Sequence, residues 1–194
     1  MDVPRITPEA YSLMIAAGVI EEDEPIELLE GYLVLHPERS PGEDCAAGLG
    51  YDELRRLLPA GWMIRPRCGI GLSTSVPEPD LSVTRGADRA FVARRPGPAD
   101  LGLVVEISDA LLARDERDKA RIYARDSIPV YWVVNLVDRR VEVFTDPTGP
   151  DVPAGAADPD PHYRSRRDYP ADTAVPVVLD GVAVGVIPVD ELLP

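Results

Sequence analysis

Two continuous apolar runs constrain this chain more than anything else in it. Leu101 to Ile107 carries Leu103-Val104-Val105, and Val130 to Val134 reads Val-Tyr-Trp-Val-Val. Strands that are apolar without alternation are covered on both faces. Between them lies a charged, helix-prone stretch from Asp115 to Asp126. Strand, helix, strand in that order predicts a parallel crossover pair, and therefore an α/β protein with a central mixed sheet and a helix on each side. At 194 residues one domain, 1–194, is expected, with enough chain to bury a core.

The flanking segments fill in the rest. Thr7-Pro8-Glu9-Ala10 is a helix start, with Thr7 as cap and Pro8 at the first position, and the helix should reach about Gly18. Ile26 to Leu35 reads as a hairpin turning at Glu30-Gly31. A second helix is expected over 43–58, ending before Pro59. Extended runs follow at Trp62–Arg65, Gly69–Leu72 and Pro79–Val83, then a surface loop from Gly86 to Asp100 rich in Pro, Gly and Arg. Val141–Phe144 should pair back through a turn near Asp138. Thr145 to Pro161 has little to bury and reads as a loop. A C-terminal hairpin turns at Asp180-Gly181.

Composition excludes some roles and complicates others. No apolar run approaches the ~18 residues of a membrane span, so no membrane partner is expected. The start Met1-Asp2-Val3-Pro4-Arg5 has no signal-peptide pattern, and a cytoplasmic location follows as the expectation. Cys45 and Cys68 have no metal-ligand spacing and read as free thiols. A net charge of −14 opposes broad nucleic-acid binding, which rests on phosphate neutralisation. The arginines nevertheless cluster, at 94–95, 114–125, 139–140 and 164–167, so a local basic groove on an acidic body is compatible with the composition.

Lys119 stands out as the one lysine among 20 Lys and Arg residues. A compact ammonium fits beside a water or phosphate oxygen where a guanidinium does not. Asp80 is expected to begin one short strand, Glu106 to end its neighbour, and Lys119 to lie one turn into the following helix. Two carboxylates without His or Cys make an oxygen-ligand site suited to Mg²⁺ or Mn²⁺. Metal-assisted phosphodiester hydrolysis is the chemistry such a set supports. Lys119, between carboxylates, would stay protonated and position water rather than act as base. Taken alone, each carboxylate reads first as a strand-end group that caps a backbone amide or pairs with an arginine. Tyr123, four residues after Lys119, shares its helical face and could order the lysine or pack on the sheet. Arg114, Arg117, Arg121 and Arg125 form a stripe on that helix, read either as a phosphate contact or as a salt-bridged face. His36 and His162 read as strand or surface residues.

Glu78-Pro79-Asp80-Leu81-Ser82-Val83, Val104-Val105-Glu106-Ile107-Ser108-Asp109, Asp115 through Lys119 to Tyr123, and Ile128 to Asn135 resemble, in order and spacing, the Uma-type restriction-endonuclease-like family. The likeness runs from Ile26-Glu27-Leu28-Leu29-Glu30-Gly31 to Val189-Asp190-Glu191-Leu192-Leu193. The resemblance implies a restriction-endonuclease-like α/β fold of the PD-(D/E)XK nuclease group, with the lysine moved from strand to helix. It implies a Mg²⁺-dependent (or Mn²⁺-dependent) DNA endonuclease in which Asp80, Glu106 and the Ile107 carbonyl hold the ion and Lys119 is the catalytic lysine. Glu27 matches an acidic position of the family, as an outer ligand or an arginine partner. Relatives often carry a histidine at the start of the second helix, where this chain has Glu43. That departure, with the acidity, keeps a catalytically inactive binding or regulatory module on the same fold as the alternative. A glycosidase-type carboxylate pair is a third reading, and it leaves Lys119 without a part. Pairing of two copies, with Val182 to Ile187 as an apolar edge, is a further expectation that burial within one chain would explain equally well.

Overall fold

The computed structural model describes residues 4–21, 24–36, 38–109, 112–150 and 160–194, the side chains of 88 and 112–117 excepted. Helix α1 (Pro8–Ala16) is capped by Thr7, whose hydroxyl accepts from the Ala10 amide at 3.2 Å. It stops two residues short of Gly18, which takes a left-handed φ of 67°. Strands β1 (Ile26–Leu29) and β2 (Tyr32–Leu35) form the expected hairpin, with Glu30 and Gly31 at φ 48° and 80°. Two successive positive φ values match the right-handed twist of the flanking strands. Helix α2 (Pro41–Leu57) begins with a reciprocal cap: Glu43 N donates to Ser40 Oγ and Ser40 N donates to Glu43 Oε2.

The core of the fold is a six-stranded sheet of β3 (Trp62–Pro66), β4 (Leu81–Arg85), β5 (Leu101–Ser108), β6 (Val130–Asn135), β7 (Arg140–Pro147) and β8 (Tyr163–Pro170), in that spatial order. Only the β5–β6 pair is parallel, and α3 (Leu112–Arg125) makes the crossover between them. The sheet is therefore mixed, as its two central apolar runs required. A final hairpin, β9 (Ala174–Leu179) and β10 (Val182–Pro188), turns at Asp180-Gly181.

The two faces of the sheet are covered differently. On one, Ala46 and Leu54 of α2 and Val175, Val177 and Ile187 of the last hairpin pack over Leu81, Leu103, Val105 and Trp132. On the other, Ile122 and Tyr123 of α3 pack over Val104, Tyr131 and Val133. Each such aliphatic side chain taken fully from water contributes about 1.5–3 kcal/mol. Among the described residues no helix is long and apolar enough to cross a membrane.

Two expectations need correction, and one strand, β8, was not expected. Gly69–Leu72 is not a strand; Ile70 and Leu72 are buried, but their amides bond Pro77 and Ser75 within an irregular turn-back. Strand β8 carries no apolar pattern, because five consecutive residues, Arg164 to Asp168, are exposed at the sheet's edge. The loop expected from Thr145 is preceded by β7 running on to Pro147, and most of the remainder, 151–159, lies outside the described residues.

Candidate active site

The ends of β4 and β5 make the floor of the site. Leu81 pairs with Val105, so the next antiparallel position places Asp80, just ahead of β4, opposite Glu106. Glu106 then faces α3, since Val104 on the same side of β5 packs there. Beyond Leu81 no strand residue remains to pair with Ile107. The Asp80 carboxylate takes that place, and Oδ2 accepts from the Ile107 amide at 2.7 Å. In a strand the N–H and C=O of one residue point to the same edge, so the Ile107 carbonyl opens onto the same gap. Asp80 is only 6% exposed.

Helix α3 lowers Lys119 and Tyr123 onto this floor. They lie one turn apart, and both donate to one oxygen of Glu106: Lys119 Nζ at 3.0 Å and the Tyr123 hydroxyl at 2.6 Å. Lys119 comes two turns into α3 rather than one, because the helix begins at Leu112. On its other side Lys119 Nζ lies 3.2 Å from Glu27 Oε1. Glu27, 2% exposed, points inward from β1, and its Oε2 accepts from the Glu78 amide at 2.9 Å. The β1–β2 hairpin is locked in place by Leu28 bridging Val76 and by Glu30 receiving Arg121 and Arg125 from α3. Those two arginines thus belong to a salt-bridged face; the side chains of Arg114 and Arg117 lie outside the described residues.

Charge balance follows from these contacts. Burial alone would drive the Lys119 ammonium toward neutrality, but Glu106 and then Glu27 outweigh it and hold it charged, above the ordinary lysine value. Burial lifts the Glu106 carboxyl above the ordinary value, with Lys119 opposing and Glu27 reinforcing. Burial also acts on Glu27, but Lys119 and His36 outweigh it and keep Glu27 low. Burial, and then Glu106, keep the Tyr123 phenol protonated as a donor.

The structure thus joins Glu27, Glu106, Lys119 and Tyr123 by direct contact, and Asp80 to Glu106 through the adjoining Ile107 backbone. Two neighbours were not read from the sequence as site residues. His36 sits against Glu27, and its signal was the alternation of β2, which puts position 36 on the face of Val34, the partner of Glu27. Arg39 pairs with Asp80 and, through Nε at 3.0 Å, with Asp44, which also meets Arg67. No local pattern marks such a long-range pairing. Glu43 is committed to the α2 cap, so it makes no replacement for the family's histidine.

Among the described residues no three His, Cys, Asp or Glu side chains converge on one point. The oxygen donors present are two carboxylates and the Ile107 carbonyl, which suit a hard divalent cation and not zinc. Both the Lys119 and the Tyr123 donor to Glu106 use Oε1, so Oε2 takes part in neither contact. A cavity of about 500 Å³ opens beside Asp80 on the α2 side, lined by Ala47, Gly48, Tyr51, Asp52 and Arg67 among others; Glu106 and Lys119 do not line it.

No curated protein matches the chain. Among solved structures it is similar to one described as "a putative nuclease belonging to DUF820 from Anabaena variabilis ATCC 29413", with 14% identity and a TM-score of 0.69, over 96% of this chain and 97% of that one. At that identity the likeness speaks for the fold. The model of the Uma2 family, described as "Putative restriction endonuclease", matches residues 8–165, which takes in every residue placed in the site above, and the chain belongs to that family.

Proposed function

We propose that this protein is a Mg²⁺-dependent or Mn²⁺-dependent endonuclease that hydrolyses phosphodiester bonds in DNA. Asp80, Glu106 and the Ile107 carbonyl would hold the ion, and Lys119 would act beside it. One observation carries the reading: Asp80 and Glu106 stand opposite one another at adjoining strand ends, with the Lys119 ammonium 3.0 Å from Glu106. When bound, a divalent ion polarises a phosphoryl oxygen and lowers the pKa of a coordinated water.

The chain's own groups supply the rest. Lys119 is held protonated by Glu106 and Glu27, so it donates to the attacking water and to developing negative charge; it does not abstract a proton. Tyr123 fixes the Glu106 oxygen that faces Lys119, and Glu27 holds the lysine from behind. With a net charge of −14, substrate affinity must come from local arginines rather than from the whole surface.

The test is cleavage of plasmid DNA with Mg²⁺ by wild type and Glu106→Ala. Cleavage by wild type that vanishes in the folded mutant supports the reading, and equal activity refutes it. A non-catalytic module on the same fold is favoured by one observation, that Asp80 is already paired with Arg39. It predicts that Mn²⁺ soaked into crystals gives no anomalous density between Asp80 and Glu106.

A further inference from the structure

One guanidinium nitrogen beside the proposed ion site has no acceptor among the described residues. Arg39 uses Nε on Asp44 and Nη1 on Asp80, while Nη2 is shielded from solvent and has no acceptor among the described residues. Buried donors are almost always paired, so an orphaned one asks for an absent acceptor. The surroundings say what kind. The guanidinium plane is fixed at two corners by carboxylates, and the backbone directly after Arg39 is fixed by the Ser40–Glu43 cap. Among the described residues no third carboxylate meets it; an oxyanion brought in by a ligand is the natural partner for the remaining fork position.

We infer that Arg39 binds the scissile phosphate, with Nη2 donating to a non-bridging oxygen of the phosphodiester held beside Asp80. This rests on the nuclease reading of the site. A phosphate contacting an ion on Asp80 would also be within the neighbourhood of the arginine paired with Asp80. The same contact has a second effect. Until substrate arrives, the Arg39 charge on Asp80 competes with a cation for that carboxylate, and the phosphate relieves the competition by drawing the guanidinium to itself. Arg39 thereby couples ion binding to substrate binding.

The experiment uses the full chain as wild type, Arg39→Ala and Arg39→Lys. Mn²⁺ affinity without DNA is read by electron paramagnetic resonance of the free ion. Binding of a 20-base-pair duplex is followed in Ca²⁺ across a salt series, and cleavage rates are measured in Mg²⁺. Arg39→Ala should bind Mn²⁺ more tightly, cleave about 10²-fold more slowly, and lose about one phosphate contact from the salt slope. Arg39→Lys keeps a charge on Asp80, so its Mn²⁺ affinity should stay near wild type while its cleavage falls between the other two. If Arg39→Ala does not fold, Arg39→Met keeps the aliphatic stem and is compared in the same way. An unchanged salt slope, or cleavage within twofold of wild type, overturns the phosphate role and leaves the nuclease reading standing. A wild type that binds Mn²⁺ and DNA without cutting overturns the nuclease reading, while the salt slope still decides Arg39. Failure of wild type to take up Mn²⁺ overturns both.

Discussion

Lys119 lies 3.0 Å from Glu106, and the 13-residue step from one to the other is spent leaving β5 and returning along α3. The pairing depends on how the crossover seats the helix on the sheet. Glu27 approaches the same ammonium from a separate hairpin, so three elements share one buried cation.

Glu106→Gln keeps the shape of the side chain and removes its charge. If Glu106 holds the proposed ion, its loss as a charged ligand removes several kcal/mol of transition-state stabilisation, and the proposed Mg²⁺-dependent cleavage should fall ~10³-fold or more. Circular dichroism should be unchanged, and single-turnover assays on plasmid DNA check the rate.

Lys119→Met leaves Glu27 and Glu106 buried without their shared counter-charge. Breaking a buried pair in this way costs about 3–5 kcal/mol at neutral pH. In the mutant, the unpaired carboxyls have folded-state pKa values raised above their unfolded ones. Folding is then favoured at low pH and weakened as pH rises through the raised value. Urea unfolding at pH 5 and pH 8 should show the deficit against wild type larger at pH 8.

Glu30 receives Arg121 Nε and Nη2 at 3.2 and 2.6 Å and Arg125 Nη1 at 2.6 Å. Burial pushes its carboxyl up, but the two arginines outweigh this and hold it below the ordinary glutamate value. A depressed folded pKa stabilises fully above the unfolded value, about 4.3, and that contribution is lost as pH falls through the depressed one. Because the group is partly exposed, Glu30→Gln should cost only about 0.5–1 kcal/mol at pH 7. Urea titrations should find this difference shrinking on acidification below the ordinary glutamate range.

Gly102 in β5 has no room for a methyl group, since a Cβ there would meet Trp62 at 2.6 and 2.7 Å and Leu179 at 2.9 Å. Gly102→Ala should destabilise by about 1–3 kcal/mol through overpacking. At Gly185 the nearest atoms, from 2.7 Å, belong to the flexible Leu57 side chain, so Gly185→Ala should cost less. Thermal unfolding of the two variants gives the comparison.

What could be read in advance followed from burial and local chemistry. The β5–α3–β6 crossover was legible because both strands are apolar on two faces, and the hairpins because Glu30-Gly31 and Asp180-Gly181 are strong turn pairs. Asp80, Glu106 and Lys119 were legible as types at strand ends and on one helix. Strand β8 was not, since an edge strand of charged residues exposed on both faces gives no apolar alternation. His36 and Arg39 were missed as members of the site because their partners, Glu27 and Asp80, are brought to them by chain folding and not by spacing.

Strand β8 closes one margin of the sheet with a charged row in which Arg164 pairs with Asp146, and Arg166 with Glu142 and Asp168. A second sheet laid along that margin would have to bury or break these charged pairs, a cost that resists runaway stacking into fibrils. The polar sequence that hid this strand from view is what keeps its open backbone safe at high concentration.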